Sequence, residues 1–271
     1  MSLISIITPT FNNQETILET WSSIKTQKYE NWEWIVVNDG STDRTKTILE
    51  GLKCTKVRVL NLEQSIGVSS ARNKGLEVMQ GDYFCFLDGD DLLPKNSLSA
   101  RLAVFQSNQE VEFVDGKVIS FIDSIDNVIE TYLPSFKGNS LQELLSLSGK
   151  VFKGNTWMIR RVEGKTYRFL EGLTHGEDLL FCASICNTGK YSFTSKPILY
   201  YRRHASSAMA NVPKLAIGYF DIVCALKEIK HLDQDLIRLY KKRAAIIAFK
   251  SLLMDLKPFL AIKWVLKIRW A

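Results

Sequence analysis

Tyr83-Phe84-Cys85-Phe86-Leu87-Asp88-Gly89-Asp90-Asp91 decides how the rest of this 271-residue chain is read. Its first five residues form a short apolar run, which predicts a buried strand. The run stops abruptly at three carboxylates within four residues. Like charges that close repel each other unless a cation or a ligand's donors offset them. Asp-x-Asp at a strand end is therefore a candidate site for a divalent metal bound to a phosphate. An ordinary helix start is the competing reading. Pro94 stands where an N1 proline would, and acids favour a helix N-terminus.

Outward from this stretch, strand and helix signals alternate. Toward the N-terminus, Ile4-Ser5-Ile6-Ile7 and Trp34-Ile35-Val36-Val37 predict strands, and Val57 to Leu60 a third. Between them Ile17, Leu18, Trp21 and Ile24 fall on one helical face, and Ile48, Leu49 and Leu52 mark a second helix. Ser69 or Ser70 would cap a third helix running through Ala71 and Leu76 to Met79, with Gly81 as its stop. This alternation predicts an α/β fold with a Rossmann-like, mostly parallel sheet and helices on both faces. Ligands bind such sheets at the carboxyl ends of the strands. Thr8-Pro9-Thr10, Asp39 and the Asp88 cluster all stand at such ends.

Toward the C-terminus, a helix around Leu98, Leu102 and Phe105 precedes two strands, Glu112 to Ile122 and Val128 to Tyr132, with Asp126-Asn127 turning between them. Ser140-Leu141-Gln142-Glu143 has capping-box form. Thr156 to Arg161 predicts another strand, and Ile198 to Tyr201 a late one, followed by His204. Beyond Pro213 the pattern is helical to the end. The divisions expected are two halves of one domain, 1–110 and 111–207, and a basic helical extension over 208–271.

Net charge is +6, unevenly spread. From Lys196 onward lie fifteen Lys or Arg and five Asp or Glu, a balance of +10, which leaves −4 for the first 195 residues. Such a tail calls for an anionic partner, a membrane surface or a nucleic acid. Trp264 and Trp270 interleaved with Lys263, Lys267 and Arg269 suit an interfacial helix; a cationic helix packed on the domain is the alternative. No apolar run reaches the length of a bilayer span. The five cysteines are odd in number and lack metal-ligand spacing, and Leu3 to Ile7 is too short for a secretory signal. A reducing, cytoplasmic setting is expected.

Four separated motifs, taken in order, resemble those of the family-two glycosyltransferases, which have the GT-A fold. They are Ile6-Ile7-Thr8-Pro9-Thr10-Phe11-Asn12, Ile35 to Asp43 with Asn38-Asp39-Gly40-Ser41 at its centre, Gly67 to Gly75, and the opening Asp-x-Asp. Gly176-Glu177-Asp178 is similar to the family's acceptor-side acid motif. The resemblance covers about Leu3 to Ser207 and leaves the tail unmatched. It implies an inverting transfer of one sugar from a UDP-sugar to a hydroxyl of a glycan or lipid-linked glycan, in cell-surface polysaccharide synthesis. Thr8, Pro9, Thr10, Asn12, Asp39, Arg72, Asp88, Gly89, Asp91 and Glu177 would then bind the nucleotide sugar. Asp39 would accept from the uracil N3–H, and Arg72 would reach the base or the diphosphate. Asp90 and Asp88, with His204, would hold Mn²⁺ or Mg²⁺, stabilising the diphosphate as it leaves. Asp178 would be the general base. Each has a plainer alternative: a helix N-cap for Asp178, a structural histidine for His204 and, without the other motifs, a surface salt bridge for Arg72.

Processive relatives carry Gln-x-x-Arg-Trp beside several membrane spans. Here Leu266 stands in the glutamine position before Arg269-Trp270, so single-sugar addition is expected. Peripheral contact with the inner face of the cell membrane, no nucleic-acid partner and a possible homo-oligomer complete the expectation. A phosphatase of the haloacid-dehalogenase type fits poorly, because its acid motif lies near the N-terminus and continues with Thr or Val, not Leu92-Leu93-Pro94. Nucleotidyltransferases need a Gly-rich basic loop after the first strand, which Thr8 to Gln14 lacks. A basic scaffold that binds nucleic acid or membrane without catalysis explains the tail but leaves the acids idle.

Overall fold

In a computed structural model of the chain, which describes residues 1–173, 175–187, 189–203, 212–254 and 258–270, the opening stretch is strand β4, Tyr83–Phe86. It pairs in parallel with β1 (Ile4–Thr10), which pairs in parallel with β2 (Trp32–Asn38), and β2 with β3 (Val57–Asn61). On its other side β4 meets the short antiparallel β7 (Met158–Arg160), which meets β5 (Val111–Ile122), and β6 (Ser124–Tyr132) forms a hairpin with β5. The order is β3-β2-β1-β4-β7-β5-β6, with β8 (Lys190–Arg202) parallel to β5.

The central strands are apolar on both faces, so side chains alternate between two buried layers. Ile4, Ile6, Trp34, Val36 and Cys85 pack under α1 (Ile17–Lys25) and α4 (Ser97–Ser107). Ile7, Ile35, Val37, Phe84 and Phe86 pack under α3 (Val68–Val78) and α6 (Glu177–Ile185). α2 (Thr45–Glu50) flanks β3. Each layer has an aromatic anchor: Trp21 stacks on Trp34 at 5.1 Å, and Phe169 on Phe181 at 4.1 Å.

Thr8-Pro9-Thr10 ends β1, as expected; β4 ends opposite Ile7, so the missing N–H of Pro9 interrupts no ladder on that side. Three other local expectations are corrected. Gly67, not Ser69 or Ser70, caps α3, and the helix is over by Met79, ahead of Gly81. The β5–β6 hairpin turns at Asp123 in the left-handed region (φ +61°), where Asp is tolerated, and Asp126-Asn127 lies inside β6. Ser140 does precede α5 (Leu141–Leu145), but its hydroxyl lies 3.6 Å from the Cys186 thiol and makes no cap hydrogen bond.

The basic extension forms α7 (Val212–Leu226), α8 (Gln234–Met254) and α9 (Pro258–Trp270). Val223, Tyr240, Ala248, Leu252 and Ile268 are buried in the same apolar cluster as Leu144 of α5 and Leu180 of α6. The helices therefore complete the core. Among the described residues no helix is long and apolar enough to cross a membrane.

Candidate active site

Beyond Phe86 the chain leaves the sheet and turns through Asp88–Asp91. The turn is tied down on all sides. Thr16 and Thr20 of α1 donate to the Gly89 carbonyl at 3.0 and 3.1 Å, and Thr20 also donates to the Asp91 carbonyl at 2.9 Å. A Cβ on Gly89 would fall 2.7 Å from Thr10 Oγ1, so only glycine lets the turn lie this close to β1. At the end of β8, Arg202 donates its backbone N–H to Asp91 Oδ1 at 2.8 Å and its Nε to the Asp90 carbonyl at 2.9 Å. Asp91 is thus turned inward and buried, and burial together with Asp90 and Asp88 pushes its pKa well above the usual carboxylate range. Asp88 and Asp90 stay partly exposed.

Arg72 connects these acids to the second half of the fold. Its buried guanidinium donates from Nη2 to Asp88 Oδ1 at 3.0 Å and from Nη1 to Glu177 Oε1 at 3.1 Å, above the Phe169 ring. Burial opposes its charge, but Asp88, Glu177 and Asp178 outweigh that and raise its pKa. Asp178 follows Glu177 in the first turn of α6, whose N-cap is Gly176, so Asp178 is not the cap. Burial, then the Glu177 carboxylate, push the Asp178 carboxyl up to about 7, against the pull of Arg72 and the Leu179 N–H. A Cβ on Gly154 would stand 3.6 Å from Asp178 Oδ2, so that glycine keeps space beside the acid. Asn155 Nδ2, on the next residue, and Arg72 Nε are buried donors without a partner among the described residues.

Asp39 sits at the end of β2, buried. It accepts from Ser65 Oγ at 2.7 Å and from the backbone N–H groups of Ile66 and Gly67 at 2.8 and 3.0 Å. Its carboxylate thereby fixes the loop that starts α3. Gly40 makes this possible: at φ +67°, a Cβ there would lie 2.4 Å from the Gln64 backbone.

The other expected residues divide. Thr8 is buried and accepts from the Trp34 indole N–H at 2.8 Å, so it offers no free hydroxyl. Pro9 is buried in β1 and Thr10 donates to Asn13 Oδ1 at 2.9 Å. Asn12, exposed and left-handed at φ +54°, accepts from the Thr42 N–H at 2.8 Å and joins the ends of β1 and β2. Arg72 is no surface ion pair: its guanidinium is buried and engaged by two acids of this chain. His204, expected as a metal ligand, lies outside the described residues.

The carboxylates fit a divalent cation of one kind. Asp88 and Asp90 supply hard oxygen donors at a strand end, and no group of three His, Cys, Asp or Glu suited to a metal occurs among the described residues. Mg²⁺ and Mn²⁺ are commonly held this way, by one or two carboxylates plus substrate phosphates.

Several structural partners had gone unmarked. Asn73 donates to the Phe169 carbonyl at 3.0 Å and accepts from the Phe169 N–H at 2.8 Å, across 96 residues. Thr20, Arg202 and Gly154 stand outside every sequence motif. Arg202 stood at the end of an expected strand, the one signal among them; contacts at such separations leave no local spacing.

Comparison with known proteins gives the family and the fold. The family model described as Glycosyl transferase family 2 matches residues 5–164. An uncharacterized glycosyltransferase of Haemophilus influenzae is 32% identical over 220 residues, covering 80% of this chain and 82% of that protein. The UDP-Glc:alpha-D-GlcNAc-diphosphoundecaprenol beta-1,3-glucosyltransferase WfgD of Escherichia coli is 33% identical over 114 residues, which is 42% of this chain and 45% of its own length. S. aureus TarS 1-349, crystallised with UDP-GlcNAc, superposes with a TM-score of 0.72 at 18% identity, over 99% of this chain and 89% of that one. The reading as a non-catalytic scaffold gives way. A mostly parallel sheet carrying an acidic strand-end turn, opposite a buried acid on α6, is here the GT-A fold of an enzyme: the chain belongs to glycosyl transferase family 2.

Proposed function

We propose that this glycosyltransferase moves a single sugar, with inversion, from a UDP-sugar to a hydroxyl of a glycan or lipid-linked glycan. One observation carries the reading. Arg72 bridges Asp88 on the donor side to Glu177 beside Asp178, so one guanidinium holds the acidic turn next to a buried carboxyl whose pKa is pushed up to about 7. Residues 1–110 form the donor half and 111–207 the acceptor half of one domain, with 208–271 as the basic extension.

Asp39 and the loop it fixes receive the base, with Asn12 and Thr10 at the neighbouring strand end. Asp88, Gly89 and Asp91 shape the turn beneath the ribose and diphosphate. Two of the unpartnered buried polar atoms, Arg72 Nε and Asn155 Nδ2, are suited to oxygens of the sugar or its leaving group. Asp90 and Asp88 would hold Mn²⁺ or Mg²⁺, which when bound neutralises charge developing on the diphosphate. Asp178 takes the proton of the acceptor hydroxyl as that oxygen bonds to the anomeric carbon. The bond to the diphosphate breaks in the same displacement, and UDP leaves with its electron pair. Gly154 gives the acceptor access to Asp178. WfgD acts, by its name, on a diphosphoundecaprenol-linked sugar. That likeness and the +10 tail favour a lipid-linked acceptor in polysaccharide synthesis, met at the inner face of the cell membrane.

Thermal-shift titration with UDP-glucose, UDP-GlcNAc and GDP-mannose, each with and without Mn²⁺, tests the donor. A UDP-sugar should raise the Tm, more so with Mn²⁺, and Asp90→Ala should abolish the metal-dependent part. Asp178→Asn should keep that shift and lose transfer. Turnover near wild type in Asp178→Asn would sink the assignment of the base.

A further inference from the structure

The outer surface of the C-terminal helices carries two matching stripes. On α8, Ile246, Phe249 and Leu253 are exposed at spacings of three and four residues; on α9, Phe259, Ile262 and Leu266 repeat the same spacing. The inner faces are already used: Ala244, Ala248 and Leu252 of α8 and Ile268 of α9 are buried in the core, with Trp264 and Val265 packed against it. The outer stripes therefore do not serve the fold. Exposure peaks where the helices meet in sequence, with Met254 at the end of α8 86% exposed and Phe259 at the start of α9 89% exposed.

Cations share this surface. Lys242 and Lys250 are exposed on α8, and Lys263 and Lys267 on α9, where Lys267 lies over the Phe220 and Trp264 rings at 4.3 and 4.7 Å. From Lys241 to Ala271 the sequence has eight Lys or Arg and a single acid, Asp255. Apolar stripes with interspersed lysines and almost no acid are the pattern of a helix lying in a membrane interface. A second copy docked by the same face would set these lysines against each other. Anionic lipid instead satisfies the cations with headgroups and the stripes with acyl chains. Neither helix is apolar enough to cross a bilayer, so the contact is peripheral.

We propose that the exposed α8–α9 face is a docking surface for anionic lipid, with Met254 and Phe259 at its inserting tip. The proposal deepens the membrane contact proposed above and rests on that reading, but not on the identity of the sugar. Two parts of the chain then divide the work: the acidic turn takes the soluble donor while α8 and α9 hold the chain at the lipid surface.

Co-sedimentation of the full chain with vesicles of phosphatidylcholine, alone and with added phosphatidylglycerol, tests it. The wild-type chain should bind only the anionic vesicles, and less as salt rises. Met254→Glu with Phe259→Glu should weaken binding by roughly 100-fold, and Lys250→Glu with Lys263→Glu by roughly tenfold with loss of the salt dependence. All four side chains are exposed, so Tm and transfer to a detergent-dispersed acceptor should stay at wild-type values. Indifference of the wild type to phosphatidylglycerol would overturn the proposal, as would wild-type binding by the Met254→Glu, Phe259→Glu chain. A drop from dimer to monomer in that variant would also overturn it, because the face would then join two copies. Vesicle binding by a chain that binds no UDP-sugar would uphold the lipid contact and sink the donor assignment alone.

Discussion

At Asp178, burial and Glu177 hold the proton to about pH 7, whereas the unfolded chain releases it near 3.8. If Asp178 is the base, as proposed, it must be ionised, so kcat/KM should climb with pH through about 7, read as a pH–rate profile. Stability runs the other way. Below pH 3.8 both states keep this proton; between there and about 7 only the folded state does, so this group lowers stability as pH rises through that window. Asp178→Asn should therefore melt at least ~2 °C higher than wild type at pH 8 while losing transfer, a contrast that calorimetry and a turnover assay resolve. Arg72→Met tests the same acids from the other side. Without the guanidinium, half-exposed Asp88 and the more buried Glu177 lose their shared partner, which should cost about 1–3 kcal/mol. If enough chain stays folded to assay, its pH profile should move upward, because Asp178 loses the cation that lowers its pKa.

Among the elements, the ties around the acidic turn are the ones to cut. Thr20→Val removes a hydroxyl that donates to both the Gly89 and Asp91 carbonyls from inside α1. It should cost about 1–3 kcal/mol and weaken Mn²⁺-dependent donor binding, measurable by denaturation and thermal shift. Gly40→Ala meets the Gln64 backbone at 2.4 Å in a left-handed conformation, and should cost about 2 kcal/mol or more and loosen the loop held by Asp39. These elements were largely legible in advance. Ile4 to Ile7, Trp34 to Val37 and Tyr83 to Phe86 alternate between two apolar layers, and the acids follow at strand ends, where a parallel sheet gathers ligands. The turns were less so. Asp126-Asn127 has turn composition yet lies in β6, because the hairpin register closes one residue after Ile122. Thr8 shows a motif residue whose hydroxyl is spent on the Trp34 indole, 26 residues away. Only tertiary packing decides such a partner.

For the molecule as a whole, the basic extension was read from charge as a tail, but its inward apolar residues are part of the domain core. Composition could register the cations and not the partners of Val223, Tyr240 or Leu252. A chain ending at Arg203 should therefore fail to fold cooperatively, shown by loss of near-UV circular dichroism and a broad size-exclusion profile. An independent tail would leave both intact. The aromatic packing below Arg72 has a consequence of another kind. Phe86, two residues before Asp88, meets Phe169 and Phe181 edge-on, and Phe181 lies three residues beyond Asp178. The proposed donor and acceptor halves are thus keyed to each other by three rings. Grafting the donor half of a relative onto this acceptor half, to exchange one sugar for another, should succeed only when residues 86, 169 and 181 come from the same parent.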